Sequence, residues 1–376
     1  MNNVVNPQLV RGLLSLVMVG GLFGGFFAAF SWAFARRRLG CPILPASKLR
    51  IVPWGLRSVL VVFAIWFLVN TVIVVAYARS RERLSSWLST TRVASSTSRT
   101  PAASTLQRAS AQPAVEAPKS GDDRKEKVFS FTEQMGLVSV INLVLLIVVP
   151  LVLKLQANAT WCDLGIERAG LARNVKIGVV AFFLTTPAVF STNAIAQLVF
   201  RTNKHPLELM LRQEASLAGV IVALVSAIIL APAAEELIFR AVFQGWLIRA
   251  TFRREGLGEE LEVELGTHSS PTSPDGPQPD DGLEGSPTSA CPEGASPTIP
   301  AAPPISRLPV MLTSLLFAAV HAPQMPAPIP IFLLSLVLGT LYQRTGSLIP
   351  SFVVHAMFNG FSTVILLIDM IGKSSR

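Results

Sequence analysis

Apolar residues along this chain come in long unbroken runs, not in the one-sided stripes of soluble helices. Eight runs stand out, at roughly 13–35, 58–78, 135–155, 175–200, 215–248, 307–322, 328–343 and 347–369. Runs of about 20 apolar residues are the length a helix needs to cross a bilayer. The pattern therefore predicts an all-α, polytopic membrane protein with about eight transmembrane helices. The first run, Leu13–Ala35, is too long for the apolar core of a signal peptide and is followed by "RRR" instead of being preceded by it, so it reads as a first span. Inside it, "GGLFGG" places Gly20/Gly24 and Gly21/Gly25 at the spacing that lets helices approach closely.

Two stretches break the apolar rhythm. Residues 79–130 are rich in Ser, Thr, Ala and Arg and are expected to be disordered or loosely structured. Residues 251–304 contain "SSPTSPDGPQPDDGLEGSPTS", a low-complexity segment that can bury little and reads as a tolerated loop insertion. The chain divides accordingly into an N-terminal two-helix membrane region (1–78), the 79–130 loop, and a larger membrane domain (131–376) interrupted by 251–304.

Composition strengthens the membrane reading. Of 376 residues 51% are hydrophobic and only 15% are charged, against about 25% charged in soluble domains. The net charge of +9 would suggest nucleic acid in a soluble protein. Here the basic residues flank apolar spans with no basic stripe interleaved with aromatics, so nucleic acid is not an expected partner and the lipid bilayer is. Cys41, Cys162 and Cys291 are scattered, odd in number and without a CxxC, which supports neither a disulfide framework nor a cysteine metal site. Arg36, Arg37, Arg38, Lys48, Arg50 and Arg57 in the first loop, and Lys154, Arg168, Arg173 and Lys176 in the third, place both loops in the cytoplasm. Both termini then lie on the other side, and loop 251–304 lies inside. Arg79, Arg81 and Arg83 pull the other way.

Few polar groups remain inside the spans. His268 falls in the low-complexity segment and His205, in "TNKHPLELM", reads as a loop residue. His321 and His355 sit in apolar helices, as do Asn359, Glu235, Glu236 and Arg240, all within the last four spans. An ionisable side chain at membrane depth is a functional candidate by default. Adjacent residues on a helix point about 100° apart, so Glu235 and Glu236 cannot serve one point equally. Glu236 and Arg240 stand at i, i+4 in the favourable order and read as a neutralising pair. Glu235 is left without a partner on its own helix. His355 and Asn359, and likewise Phe317 and His321, share helix faces, with the Phe317 ring able to wall a site.

At about 1.5 Å per residue, His321 lies about 21 Å into its helix, His355 about 12 Å into its own, and Glu235 about 20 Å from the end of the fifth span. Tilt brings these depths together. One free carboxylate, two imidazoles and a carboxamide suit amide hydrolysis. Glu235, helped by one imidazole, would take a proton from water. The second imidazole and Asn359 would donate to the oxyanion. The same side chains Glu235, His321 and His355 could instead hold zinc. The HExxH signature of zinc peptidases is absent, so no cofactor is expected, with zinc as the alternative.

Taken in order, "EELIFR", "FAAVH" and "HAMFN" resemble the EExxxR, FxxxH and HxxxN motifs of the CAAX protease and bacteriocin-processing family of intramembrane endopeptidases, over about residues 131–376. The resemblance implies that Glu235 and His321 activate water, that His355 and Asn359 form the oxyanion site, and that Glu236 and Arg240 support them. It implies a membrane-embedded catalytic cavity and a peptide or membrane-protein substrate, lipidated or not; the loop charges turn that cavity toward the cytoplasm, and a bacterial plasma membrane is the expected location. Two other classes fit the same residues. One is a non-catalytic membrane regulator or bacteriocin self-immunity protein on this fold; the other is a proton-coupled transporter, for which no paired broken helices appear.

Overall fold

The computed structural model describes residues 7–40, 44, 51–96, 131–200, 217–254 and 306–373. Eight helices account for nearly all of them: α1 (Pro7–Arg38), α2 (Leu56–Ser96), α3 (Phe131–Ala157), α4 (Leu171–Phe200), α5 (Leu217–Arg254), α6 (Leu308–Val320), α7 (Pro328–Thr345) and α8 (Leu348–Lys373). Among the described residues there is no strand. Six helices are long and apolar enough to cross a membrane: α1, the first part of α2, α3, α4, α5 and α8. Leu308–Val320 is a shorter apolar helix.

α5 is one continuous rod with two π-helical interruptions, Ser226–Leu230 and Leu237–Gln244. The first has a visible cause. Pro232 lacks an N–H and its ring collides with the carbonyl four residues back, so a regular α register cannot pass through it. The helix widens, and the Ala231 N–H bonds to Ser226 O, five residues back.

α5 lies at the centre. It packs on α3 along one side and on α6 and α8 along others, while α8 also runs against α4, α7 and α1. One apolar core joins α2, α3 and α5 through residues such as Val62, Leu145, Leu153 and Phe239; a second joins α4, α7 and α8 through Phe182, Leu338, Val354 and Phe358. The stretch before α2 docks on α5: Trp54 donates to the Val242 carbonyl at 3.1 Å and Arg249 to the carbonyls of Val52 and Pro53. α7 ends on Gly346 in the left-handed region (φ 62°), a conformation that glycine adopts without strain. The turn it makes is fastened to the α3–α4 connection, where Leu348 N and Ser347 Oγ both donate to the Gly165 carbonyl.

Four features depart from the sequence reading. α2 continues to Ser96, so the part of the 79–130 loop expected to be loose is helical as far as that residue; the rest of that loop, most of 251–304, and His205 and His268 lie outside the described residues. α6 stops at Val320 with His321 as its C-cap, because Pro323 two residues on cannot continue the helix. His321 thus ends a span and is not within one. Of the four glycines in "GGLFGG", only Gly25 meets another helix, with Phe183 of α4 pressed against it; Gly20, Gly21 and Gly24 face open space. Cys162 is disulfide-bonded, although scattered cysteines gave no sign of it.

Candidate active site

The buried polar cluster grows from a stripe on α5. Glu236, Arg240 and Gln244, four residues apart, are all at most 1% exposed. α7 answers with a stripe of small residues at the same spacing. Arg240 Nη2 donates to Ser335 Oγ at 3.0 Å and Gln244 Nε2 to the Gly339 carbonyl at 2.8 Å. A Cβ on Gly339 would lie 3.0 Å from Gln244 Oε1, so a larger residue there would crowd the rung. Small residues at a helix interface allow this approach of polar side chain to backbone.

A buried arginine needs a counter-charge, and Glu236 Oε2 lies 3.3 Å from Arg240 Nε. The guanidinium also sits over the Phe317 ring, 5.0 Å from its centre, a contact worth about 2 kcal/mol when desolvated. Phe317, 2% exposed, is the common wall of the cluster. Its ring centre lies 4.9 Å from that of His321, 5.9 Å from His355 and 5.0 Å from Phe239.

His355 stands between the two glutamates. Its Nδ1 is 3.0 Å from Glu236 Oε1 and its Nε2 is 3.6 Å from Glu235 Oε2. An ionised carboxylate only accepts, so the Nδ1 hydrogen points at Glu236. Toward Glu235 a lone pair facing a carboxylate would repel it, so a proton belongs between Nε2 and Glu235. Glu236 is sealed in; Glu235 keeps 31% of its side chain exposed. The two neighbours thus differ in access as well as direction.

His321 stands apart from this trio. Its Nδ1 donates to the Phe317 carbonyl at 2.7 Å, which turns Nε2 away from its own helix. Among the described residues it makes no ion pair with Glu235. Asn359 shares the His355 side of α8, and its Nδ2 donates to the Ala227 carbonyl at 2.9 Å, in the first π-helical segment of α5. The structure therefore brings together Glu235, Glu236, His355 and Arg240, places Phe317 against them, sets His321 behind the Phe317 ring and ties Asn359 to α5.

Zinc requires three protein ligands converging on one point. Among the described residues no three His, Cys, Asp or Glu side chains are grouped to hold a metal ion. Of the alternative ligand set, both ring nitrogens of His355 face carboxylates and His321 turns elsewhere. The donor set as arranged does not fit the ion.

A cavity of about 680 Å³ lies elsewhere, between α1, α4 and α8, walled by Phe23, Phe26, Phe183, Phe190 and Phe361, with Arg11 and Asp369 among its lining residues. None of the motif residues lines it. Sequence reasoning did not single out Ser335, Gly339, Gln244 or Pro232. Each left a trace: a proline inside an apolar run, a glutamine four residues after a buried arginine, and two small residues four apart.

Residues 299–361 match the family model described as Type II CAAX prenyl endopeptidase Rce1-like. This is a protease family, the one that the motifs resemble, and the match takes in "FAAVH" and "HAMFN" but not "EELIFR". No curated protein and no solved structure matches the chain.

Proposed function

We propose that this chain is an intramembrane endopeptidase that hydrolyses a peptide bond near the membrane surface, with Glu235 as the general base. The observation that carries the proposal is the His355 bridge. One histidine held between a sealed carboxylate and an accessible one is the arrangement of a group oriented from one side to act on the other. Glu236 takes the orienting part, with Arg240 balancing its charge. Glu235 receives the proton of an attacking water. Once Glu235 is protonated it releases its hold on His355 Nε2–H, which with the amide of Asn359 donates to the oxyanion as it forms. His321 Nε2, aimed by the Phe317 carbonyl bond, assists on the water side. The matched family name supports a protein substrate with a lipidated CAAX-type tail. No cofactor enters this scheme.

The finer topology belongs to the same proposal. Basic loops favour a site facing the cytoplasm, within what we take to be a bacterial plasma membrane. The disulfide at Cys162, in the α3–α4 connection, argues against a cytoplasmic place for that loop, since disulfides persist in oxidising compartments. Labelling of cysteines introduced in the α1–α2 and α3–α4 loops of intact cells decides between them.

A non-catalytic regulator is favoured by one observation: the cavity between α1, α4 and α8 is lined by none of the motif residues. The test is proteolysis in liposomes with prenylated and unprenylated peptides. Wild type should cleave, and Glu235→Gln should lose about 10³-fold in kcat, within the range typical of a general base. Full activity in Glu235→Gln would remove the base assignment. Stoichiometric zinc by elemental analysis, with activity following its removal and return, would replace the mechanism with a metal one.

A further inference from the structure

Pro232 does more than widen α5. It leaves one backbone carbonyl without a helical partner. The Ala227 carbonyl would normally receive the N–H four residues on, from Ala231, but that N–H bonds to Ser226 O. In a π turn it would receive the N–H five residues on, and that residue is Pro232, which has none. In the register that α5 adopts here, neither position supplies it with an N–H. At membrane depth such a group has to find another donor. The donor is Asn359 Nδ2, at 2.9 Å, from the facing helix α8. The two helices touch here: a Cβ on Gly360, the next residue, would lie 3.7 Å from Ile228.

We infer that Pro232 is a positioning residue for Asn359: by orphaning the Ala227 carbonyl it fixes the Asn359 amide in one orientation and locks α8 to α5 beside Glu235. An Asn amide carries two N–H donors. With one spent on a fixed carbonyl, the plane of the group and the direction of the other are set, without a rotamer search at the moment of reaction. The four-residue step from His355 to Asn359 then carries the same constraint to the imidazole. This rests on the proposed function insofar as the aimed donor serves the oxyanion; the link among Pro232, Ala227 and Asn359 does not.

The two halves are tested separately. Thermal unfolding in detergent follows Pro232→Ala, Asn359→Ala and the double variant. Pro232→Ala supplies the missing N–H and removes the ring, so it raises Tm. Asn359→Ala alone lowers Tm, because Ala227 O loses its donor, and in the Pro232→Ala background the same change lowers it much less. Equal losses in the two backgrounds overturn the link. On a peptide that wild type cleaves, Pro232→Ala lowers kcat about tenfold and leaves KM within about twofold, a part of what deleting an oxyanion donor costs. A protein that becomes more stable and less active is not what a merely structural proline produces. Unchanged kcat in Pro232→Ala overturns the positioning role. A wild type that cleaves no peptide removes the proposed function, and the stability cycle still decides the link.

Discussion

α1 and α5 look alike as strings of letters and differ in nearly everything else. Both are long apolar spans, with mean hydropathies of 2.1 and 2.5 over their most apolar windows, yet 6% of that window is buried in α1 and 22% in α5. α1 leaves Phe30 and Phe34 exposed, lines an open cavity with Phe23 and Phe27, and meets α4 at Gly25. α5 carries an ion pair at full burial, two π-helical segments and a proline. Hydropathy reports only that the surroundings are apolar. It does not distinguish lipid from protein, and what distinguishes them here is where a helix departs from being apolar and regular.

The sharpest way to break the comparison is to remove the charge that α5 buries. Glu236→Ala removes the counter-charge beside Arg240, leaving it Ser335, the Phe317 ring and the Glu235 carboxylate of the same helix, and should cost about 3–5 kcal/mol. Thermal unfolding should show it, with partial recovery in Glu236→Ala/Arg240→Leu. A single variant as stable as wild type would mean that α5 is no more central than α1. On α1 the matching test is far milder. Arg11 pairs with Asp369 of α8 at 3.0 Å, with side chains 38% and 29% exposed. Arg11→Ala should therefore cost no more than about 1 kcal/mol. A larger loss would make α1 an integral brace of the α8 core. Smallest of all is Gly24→Ala. Nothing lies within 4 Å of the added methyl, so the only effect should be the gain of about 0.5–1 kcal/mol from replacing a helical glycine. Destabilisation there would reveal a contact made by α1 on its open side.

The sequence carried the helices well because lipid imposes one rule on all of them: the backbone must satisfy itself. Eight apolar runs became eight helices. Glu235, Glu236, Arg240, His321, His355 and Asn359 stood out because polar side chains at that depth are rare, and Phe317 because it stands four residues before His321. Spacing along one helix could also be read, as in the Glu236–Arg240 pair. Relations between helices could not. That His355 reaches both glutamates, or that Ser335 and Gly339 receive Arg240 and Gln244, depends on which faces meet. The π segments were hidden for another reason. The first arises from one missing N–H at Pro232, and a pattern built on a regular period has no place for a register shift. His321 was misplaced by one feature, the proline two residues beyond it.

α6 has one more consequence. Its 13 residues reach about 20 Å, well short of the 30 Å or so of a typical hydrocarbon core. A short helix draws the bilayer in around it, by local thinning or by admitting headgroups and flanking polar residues. Beside α6 a bilayer would be drawn thin, with His321 at the end of the helix near its surface. On the proposed function, a peptide tail reaching Glu235 from this side would have less oil to enter than one approaching beside α1. A thicker, sterol-stiffened membrane would resist the dip, so the lipid itself becomes part of the barrier to reaching the site.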